Sequence, residues 1–240
     1  MSFMKKIYYL TLMFFLFCSL NIKAQDYTGI RMGIKIPYTY NVSYYARISD
    51  RFGAYGGLQM VTFPFGTAPL AYMKAWGADP AMVEVLREPF SIGAGVEIGA
   101  HYYFGSDNRR YYVALSLDWM NLLKRSIEDT VIETAFGVNL DDYPEGPILK
   151  ESSVKPLTLN TNYLNLGLTF GKRFLLPYNP NWELALELQI DKTIYSHHFL
   201  FSDYRYLTPV EEMTSKGLKQ TMLKYGWFPT FNVIFTYIIK

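Results

Sequence analysis

Residues 91–104 read SIGAGVEIGAHYYF, and their reading decides the fold. Ile92, Ala94, Val96, Ile98, Ala100, Tyr102 and Phe104 share one parity. Ser91, Gly93, Gly95, Glu97, Gly99, His101 and Tyr103 share the other. Successive strand side chains point to opposite faces, so this period of two predicts a strand with one apolar face and one small or polar face. An uncharged apolar face backed by Glu97 and His101 suits a wall between hydrocarbon and a polar interior.

The pattern recurs on both sides of this stretch. Residues 181–190 set Trp182, Leu184, Leu186, Leu188 and Ile190 against Glu183, Ala185, Glu187 and Gln189. Residues 163–174 set Leu164, Leu166, Leu168 and Phe170 against Tyr163, Asn165, Gly167, Thr169, Gly171 and Arg173. In 111–121, Val113, Leu115, Leu117 and Trp119 oppose Tyr112, Ala114, Ser116 and Asp118. Phe231, Val233, Phe235, Tyr237 and Ile239 alternate to the chain end, as do Ile30 to Ile36 and Tyr40 to Ile48 near its start. Residues 52–63 supply a further strand, which brings the expected number to eight.

Loop lengths give the topology. Ser49-Asp50-Arg51, Gly105-Ser106-Asp107-Asn108 and Pro177-Tyr178-Asn179-Pro180 are tight and rich in turn residues. The brief Pro37-Tyr38-Thr39 and the long stretches 64–89, 124–159 and 193–224 alternate with them. The expected fold is all-β: an eight-stranded antiparallel up-and-down transmembrane β-barrel with short periplasmic turns and long outer loops. No segment of the mature chain is apolar for long enough to cross as a helix.

The first 24 residues read as a cleaved signal peptide: Lys5 and Lys6, an apolar run to Leu20, then Ile22-Lys23-Ala24. Residues 25–240 form the barrel domain. Lipidation at Cys18 is disfavoured, because Phe15-Leu16-Phe17 lacks the small residues that precede such a cysteine. The mature chain then has no thiol and must be held by its core or by a membrane. Removing Lys5, Lys6 and Lys23 from 23 Lys+Arg leaves 20 against 21 Asp+Glu, a net charge of −1. The basic balance therefore resides in the signal, and nucleic acid is not an expected partner. The 21 Tyr and 17 Phe exceed what soluble domains carry and suit aromatic belts at two membrane interfaces.

The signal ending Ala24-Gln25, the turn Ser49-Asp50-Arg51-Phe52-Gly53 and the alternating last strand resemble the small Gram-negative outer-membrane β-barrel family. That family includes the outer membrane protein A transmembrane-domain type. The resemblance covers residues 27–240 and implies fold and location in the cell outer membrane, not a reaction. The chain departs from the pattern by ending Ile238-Ile239-Lys240, without a terminal aromatic, and by placing Pro229 in its last strand. A soluble lipocalin-like barrel, with its apolar face inside, is the structural rival.

An eight-stranded barrel is just wide enough for its side chains to fill. The polar faces send Arg31, Lys35, Arg47 and Arg173 inward, with Glu97, Asp118, Glu183, Glu187, Asp191 and His101. This set is expected to form a paired structural plug, since an unpaired buried charge costs several kcal/mol. The rival is a conducting pore lined by the same groups. Glu97 and His101 share a face and are a candidate acid–base pair, with a structural contact preferred.

In the loops, Asp79-Pro80 predicts a short helix through Glu88. Thr208-Pro209-Val210-Glu211 is a capping box opening a helix that carries Val210, Met213, Leu218 and Met222. Packing over the barrel mouth is preferred to a lid. The acidic stretch 126–151 lacks calcium-loop spacing and reads as a solvated face. Ser196-His197-His198 is the one Ser/His cluster, with Asp203 or Glu211 as candidate orienting acids. Adjacent Ser196 and His197 point to opposite faces. Barrel lipid-A deacylases hold His and Ser two apart on one face, and no such pair is expected here. His197-His198 lacks a third metal ligand. The expected function is a non-enzymatic barrel without cofactor or metal. It presents outer loops to envelope lipid or a protein partner, or serves as a subunit of an envelope assembly or secretion complex. The alternative is a small pore, transporter or lipid-modifying enzyme at the barrel mouth.

Overall fold

The computed structural model describes residues 28–105, 110–139, 157–176, 178–201 and 208–239. Eight strands follow in chain order: β1 (Thr28–Ile36), β2 (Thr39–Arg47), β3 (Phe52–Val61), β4 (Gly93–Phe104), β5 (Tyr111–Ile127), β6 (Leu157–Leu175), β7 (Trp182–Phe201) and β8 (Trp227–Ile239). They close into one antiparallel barrel in sequence order, with β1 zipped to β8 from Thr28↔Ile239 to Ile36↔Phe231. Three short turns and both described chain ends share one rim. The β1–β2 turn and three long loops share the other.

The polarity is that of a barrel in lipid. Ile30, Met32, Val42, Val96, Ile98, Leu115, Leu168 and Leu188 stand exposed on the outer wall, whereas Arg31, Lys35, Glu97, Asp118 and Glu187 are buried inside. The lipocalin-like alternative requires the reverse. Aromatic contacts gather near the short-turn rim, where Phe52 meets Tyr102 and Trp182 meets Tyr237, each at 5.2 Å between ring centroids. Trp119 stacks on Tyr195 toward the long-loop rim, at 6.1 Å. Inside, rings occupy space that glycines leave open. A Cβ on Gly99 would meet the Tyr55 ring at 2.5 Å, and Gly171 is likewise covered by Tyr112.

Strand lengths depart from expectation. β1–β3 are 9 or 10 residues long, but β5, β6 and β7 reach 17, 19 and 20. Residues 124–127 and 157–159 of one expected loop, and 193–201 of another, are thus strand. The outward face there includes Asn121, which donates to Asn162 across β5–β6 at 2.6 Å, so the apolar alternation fades while the ladder continues. Register shifts between Leu122 and Arg125 in β5, and in β7 between Leu164↔Tyr195 and Asn165↔Thr193. Ile194 and Tyr195 both stand exposed at that shift, and Ser196 and His198 beyond it turn inward.

The long loops carry helices α1 (Ala68–Ala75), α2 (Pro80–Val85), α3 (Asp129–Phe136) and α4 (Thr208–Tyr225). Asp79 caps α2 by accepting from the Ala81 amide at 2.8 Å. The expected helix through Glu88 stops earlier, because Leu86 and Arg87 tighten to three-residue hydrogen bonds with Val83 and Glu84. α1 and α3 were not expected. Gly137 ends α3 at a φ of 64°, a left-handed conformation that glycine adopts without strain. α4 forms where expected and buries Val210, Leu218 and Met222, with Met213 only half-buried. The expected signal peptide (1–24), Cys18, Asp203 and residues 140–151 of the acidic stretch lie outside the described residues.

Candidate functional site

Charged groups cross the lumen in layers. Nearest the long-loop rim, Lys35 on β1 donates to Glu97 on β4 at 2.7 Å and lies 3.5 Å from Asp118 on β5. Glu97 also accepts from Tyr55 at 3.1 Å, and Asp118 from Gln59 at 3.3 Å and Ser116 at 3.2 Å. Asp191 accepts from Gln189 at 2.7 Å. In the middle layer Arg31 meets Glu187 at 2.8 Å, and Tyr112 and Asn232 donate to the same carboxylate at 2.5 and 2.9 Å. Toward the short-turn rim Arg173 meets Glu183 at 3.2 Å beneath the face of Tyr103. Arg47 sits at that rim, donating to the Asp50 carbonyl at 2.8 Å.

Glu97 and His101 do not pair. The His101 ring packs among Tyr45, Tyr55, Tyr103 and Tyr112, with centroids 4.6 to 5.7 Å away. Its Nε2 faces Arg31 Nη1 at 3.4 Å and its Nδ1 faces Tyr103 Oη at 3.0 Å. A guanidinium only donates, so Nε2 is the acceptor and Nδ1 carries the hydrogen. His101 therefore braces the middle layer, with no room for a substrate. The free space among Arg31, His101, Tyr103 and Arg173 is about 10 Å³, roughly that of one water.

Above the ionic layers the mouth is sealed twice. Tyr38, at the tip of the brief β1–β2 turn, is 1% exposed. It reaches Tyr163 by a 2.5 Å hydroxyl contact and stacks on Phe228 at 5.2 Å. Over it lies an apolar dome core joining Leu70 and Met73 of α1, Val83 of α2, Ile132 of α3, and Leu218 and Met222 of α4 to Leu159, Tyr163 and Leu200 of the extended strands. Each such buried side chain contributes about 1.5–3 kcal/mol. The dome packs over the mouth. Sequence reading missed Tyr38, since a residue in so short a turn gives no sign that it reaches across the mouth to β6 and β8.

The expectation that no Ser and His share a face two residues apart is overturned. Ser196 Oγ lies 2.5 Å from His198 Nε2, and His198 Nδ1 lies 3.0 Å from Thr161 Oγ1. Residues two apart on a strand always share a face, and the β7 bulge turns this pair inward. Ser196 is 0% and His198 2% exposed. α4 covers them, with Ser215 Oγ donating to the His198 carbonyl at 2.7 Å. The third position is a threonine where a triad needs a carboxylate. The arrangement satisfies buried polar groups beneath a helix. His197 faces outward against Phe199, and among the described residues no three His, Cys, Asp or Glu side chains gather to hold a metal.

No family model and no curated protein matches this chain. Among solved structures it is similar to two from Acinetobacter baumannii. CarO2 is 12% identical over 89% of this chain and 98% of that one, with a TM-score of 0.36. CarO is 13% identical over 90% and 100%, with a TM-score of 0.38. At these levels neither likeness assigns a role to this chain.

Proposed function

We propose that this protein is a non-enzymatic, non-conducting barrel of a Gram-negative outer membrane, and that its packed dome is a platform for contact at the cell surface. The observation that carries this reading is the double closure of the lumen, by ionic layers and by Tyr38 under the dome core. A pore would need a continuous aqueous path, and an enzyme at the mouth would need its Ser–His pair open to substrate. An apolar outer wall over a polar interior supports residence in lipid, and the signal-like first 24 residues support export to the outer membrane. The dome holds its helices at fixed positions and so presents one rigid face to a partner protein or to envelope lipid.

Fractionation of cells should place the folded protein with outer membranes, with heat-dependent migration on SDS gels. Purified protein in planar bilayers should give no steady conductance, and removal of 68–90 should open none, because the ionic layers close the lumen on their own. Steady channels from the intact protein would replace this reading with a pore.

A further inference from the structure

The barrel wall is not evenly convex. A groove of about 790 Å³ runs across it, within the roughly 300–1,000 Å³ of small-molecule sites. Its floor follows one row of paired outward side chains: Val113↔Phe170, Phe170↔Leu188, Leu188↔Phe231 and Phe231↔Ile36. Val113 lies just past a short turn, whereas Ile36 ends β1 at the opposite rim, so the row climbs the wall from near one rim toward the other. Pro229 opposite Ile190 leaves the upper part shallowly filled, and Tyr72 of α1 overhangs it. The surface it presents is almost wholly apolar.

The upper end is chemically different. One outward step above the Ile190↔Pro229 pair stands Lys192↔Trp227, about 7 Å further along the strands. The Lys192 ammonium lies 4.7 Å over the Trp227 ring and donates to the carbonyls of Leu223 and Lys224, at the C-terminal end of α4. Those two bonds leave its third hydrogen, and among the described residues no carboxylate pairs with it. Trp76 closes the same corner by donating to the Trp227 carbonyl at 3.3 Å. Lys216, Lys219 and Lys224 add positive charge along the last turns of α4.

We propose that this groove is a binding site for an anionic membrane lipid. Its acyl chain lies along the Val113-to-Ile36 row, and its phosphate head sits at Lys192 and Trp227. An apolar trough alone would take any neutral chain. The ammonium at its outer end, held by carbonyls and an indole face but by no carboxylate among the described residues, selects a negative head over a zwitterionic one. The inference rests on the membrane-spanning reading and adds a specific ligand to it.

The test uses full-length protein refolded into mild-detergent micelles, titrated with brominated phosphatidylglycerol or brominated phosphatidylcholine. Quenching of Trp227 and Trp76 fluorescence is read against a variant with both replaced by Phe. Saturable quenching by phosphatidylglycerol, at least fivefold tighter than by phosphatidylcholine, is expected. Leu188→Trp/Trp119→Phe, which fills the groove, should weaken retention of phosphatidylglycerol by native mass spectrometry about tenfold. Leu58→Trp on the opposite wall should retain it like the wild type. Lys192→Ala should lose the preference between heads while the chain still binds. Equal affinity for both lipids, or equal retention by the Leu188 and Leu58 variants, would overturn the proposal while leaving the barrel reading intact. Failure to fold into any lipid or micelle would instead remove the membrane reading beneath it.

Discussion

Arg31 and Glu187 meet at 2.8 Å across the lumen from strands at opposite ends of the sequence, but the two partners are not equally provided for. Glu187 also accepts from Tyr112 and Asn232, whereas Arg31 adds a long 3.4 Å hydrogen bond to His101 and the ring faces of Tyr55 and Tyr45, 4.7 and 6.0 Å from its guanidinium carbon.

That asymmetry predicts unequal costs. Glu187→Ala leaves a buried guanidinium without its anion and should destabilise folding by about 3–5 kcal/mol. Arg31→Met leaves a carboxylate still hydrogen-bonded and should cost less, about 1–3 kcal/mol. The double change Arg31→Met/Glu187→Leu should recover most of the loss, since an apolar pair needs no desolvation compensation. Urea-dependent folding into liposomes measures all three. Equal costs for the single variants would show that Tyr112 and Asn232 do not hold the carboxylate.

The direction of the wall is tested at Ile98, which is 56% exposed on the outer face between Gly56 and Leu117. In hydrocarbon Ile98→Ala should change stability little, whereas Ile98→Arg should cost about 2–4 kcal/mol in the same assay. If arginine is tolerated there as well as alanine, that face meets water and the barrel is soluble.

The dome should loosen without the barrel. Leu218→Ala opens a cavity in the cap core and should cost that unit about 2–5 kcal/mol. Outer loops on whole cells should then be cut at least tenfold faster by added protease, while the heat-dependent gel shift persists. Loss of the gel shift would mean that cap and wall fold as one cooperative unit.

Ser196 should be chemically silent. Buried beside His198 and lacking a carboxylate relay, it should not be labelled by a fluorophosphonate probe in native membranes, and Ser196→Ala should change no lipid profile. Labelling that disappears in Ser196→Ala would overturn the non-enzymatic reading.

The strand count, the topology and the inward parity of residues such as Glu97 and Arg173 were legible because an apolar outer wall over a polar interior imposes a strict period of two. Where strands rise beyond the apolar belt, Asn121 and Asn162 face outward and the dome packs against the inner side. The period loses its contrast there, so β5, β6 and β7 read several residues too short. A bulge is invisible to parity arguments, and one at Ile194 and Tyr195 reverses the faces of everything above it in β7. Tyr38 was illegible for a different reason: its role depends on the shape of the mouth and not on its neighbours in sequence. α1 and α3 are short helices whose burial is decided by packing against other loops.

The pairing of β1 with β8 also sets when the lumen closes. β8 is the last strand to leave the ribosome, and until it meets β1 there is no enclosed lumen. Lys35 cannot settle on Glu97, nor Arg31 on Glu187, while their strands belong to an open sheet. Until then these ions keep their water, and they shed it in one event, when β1 and β8 join.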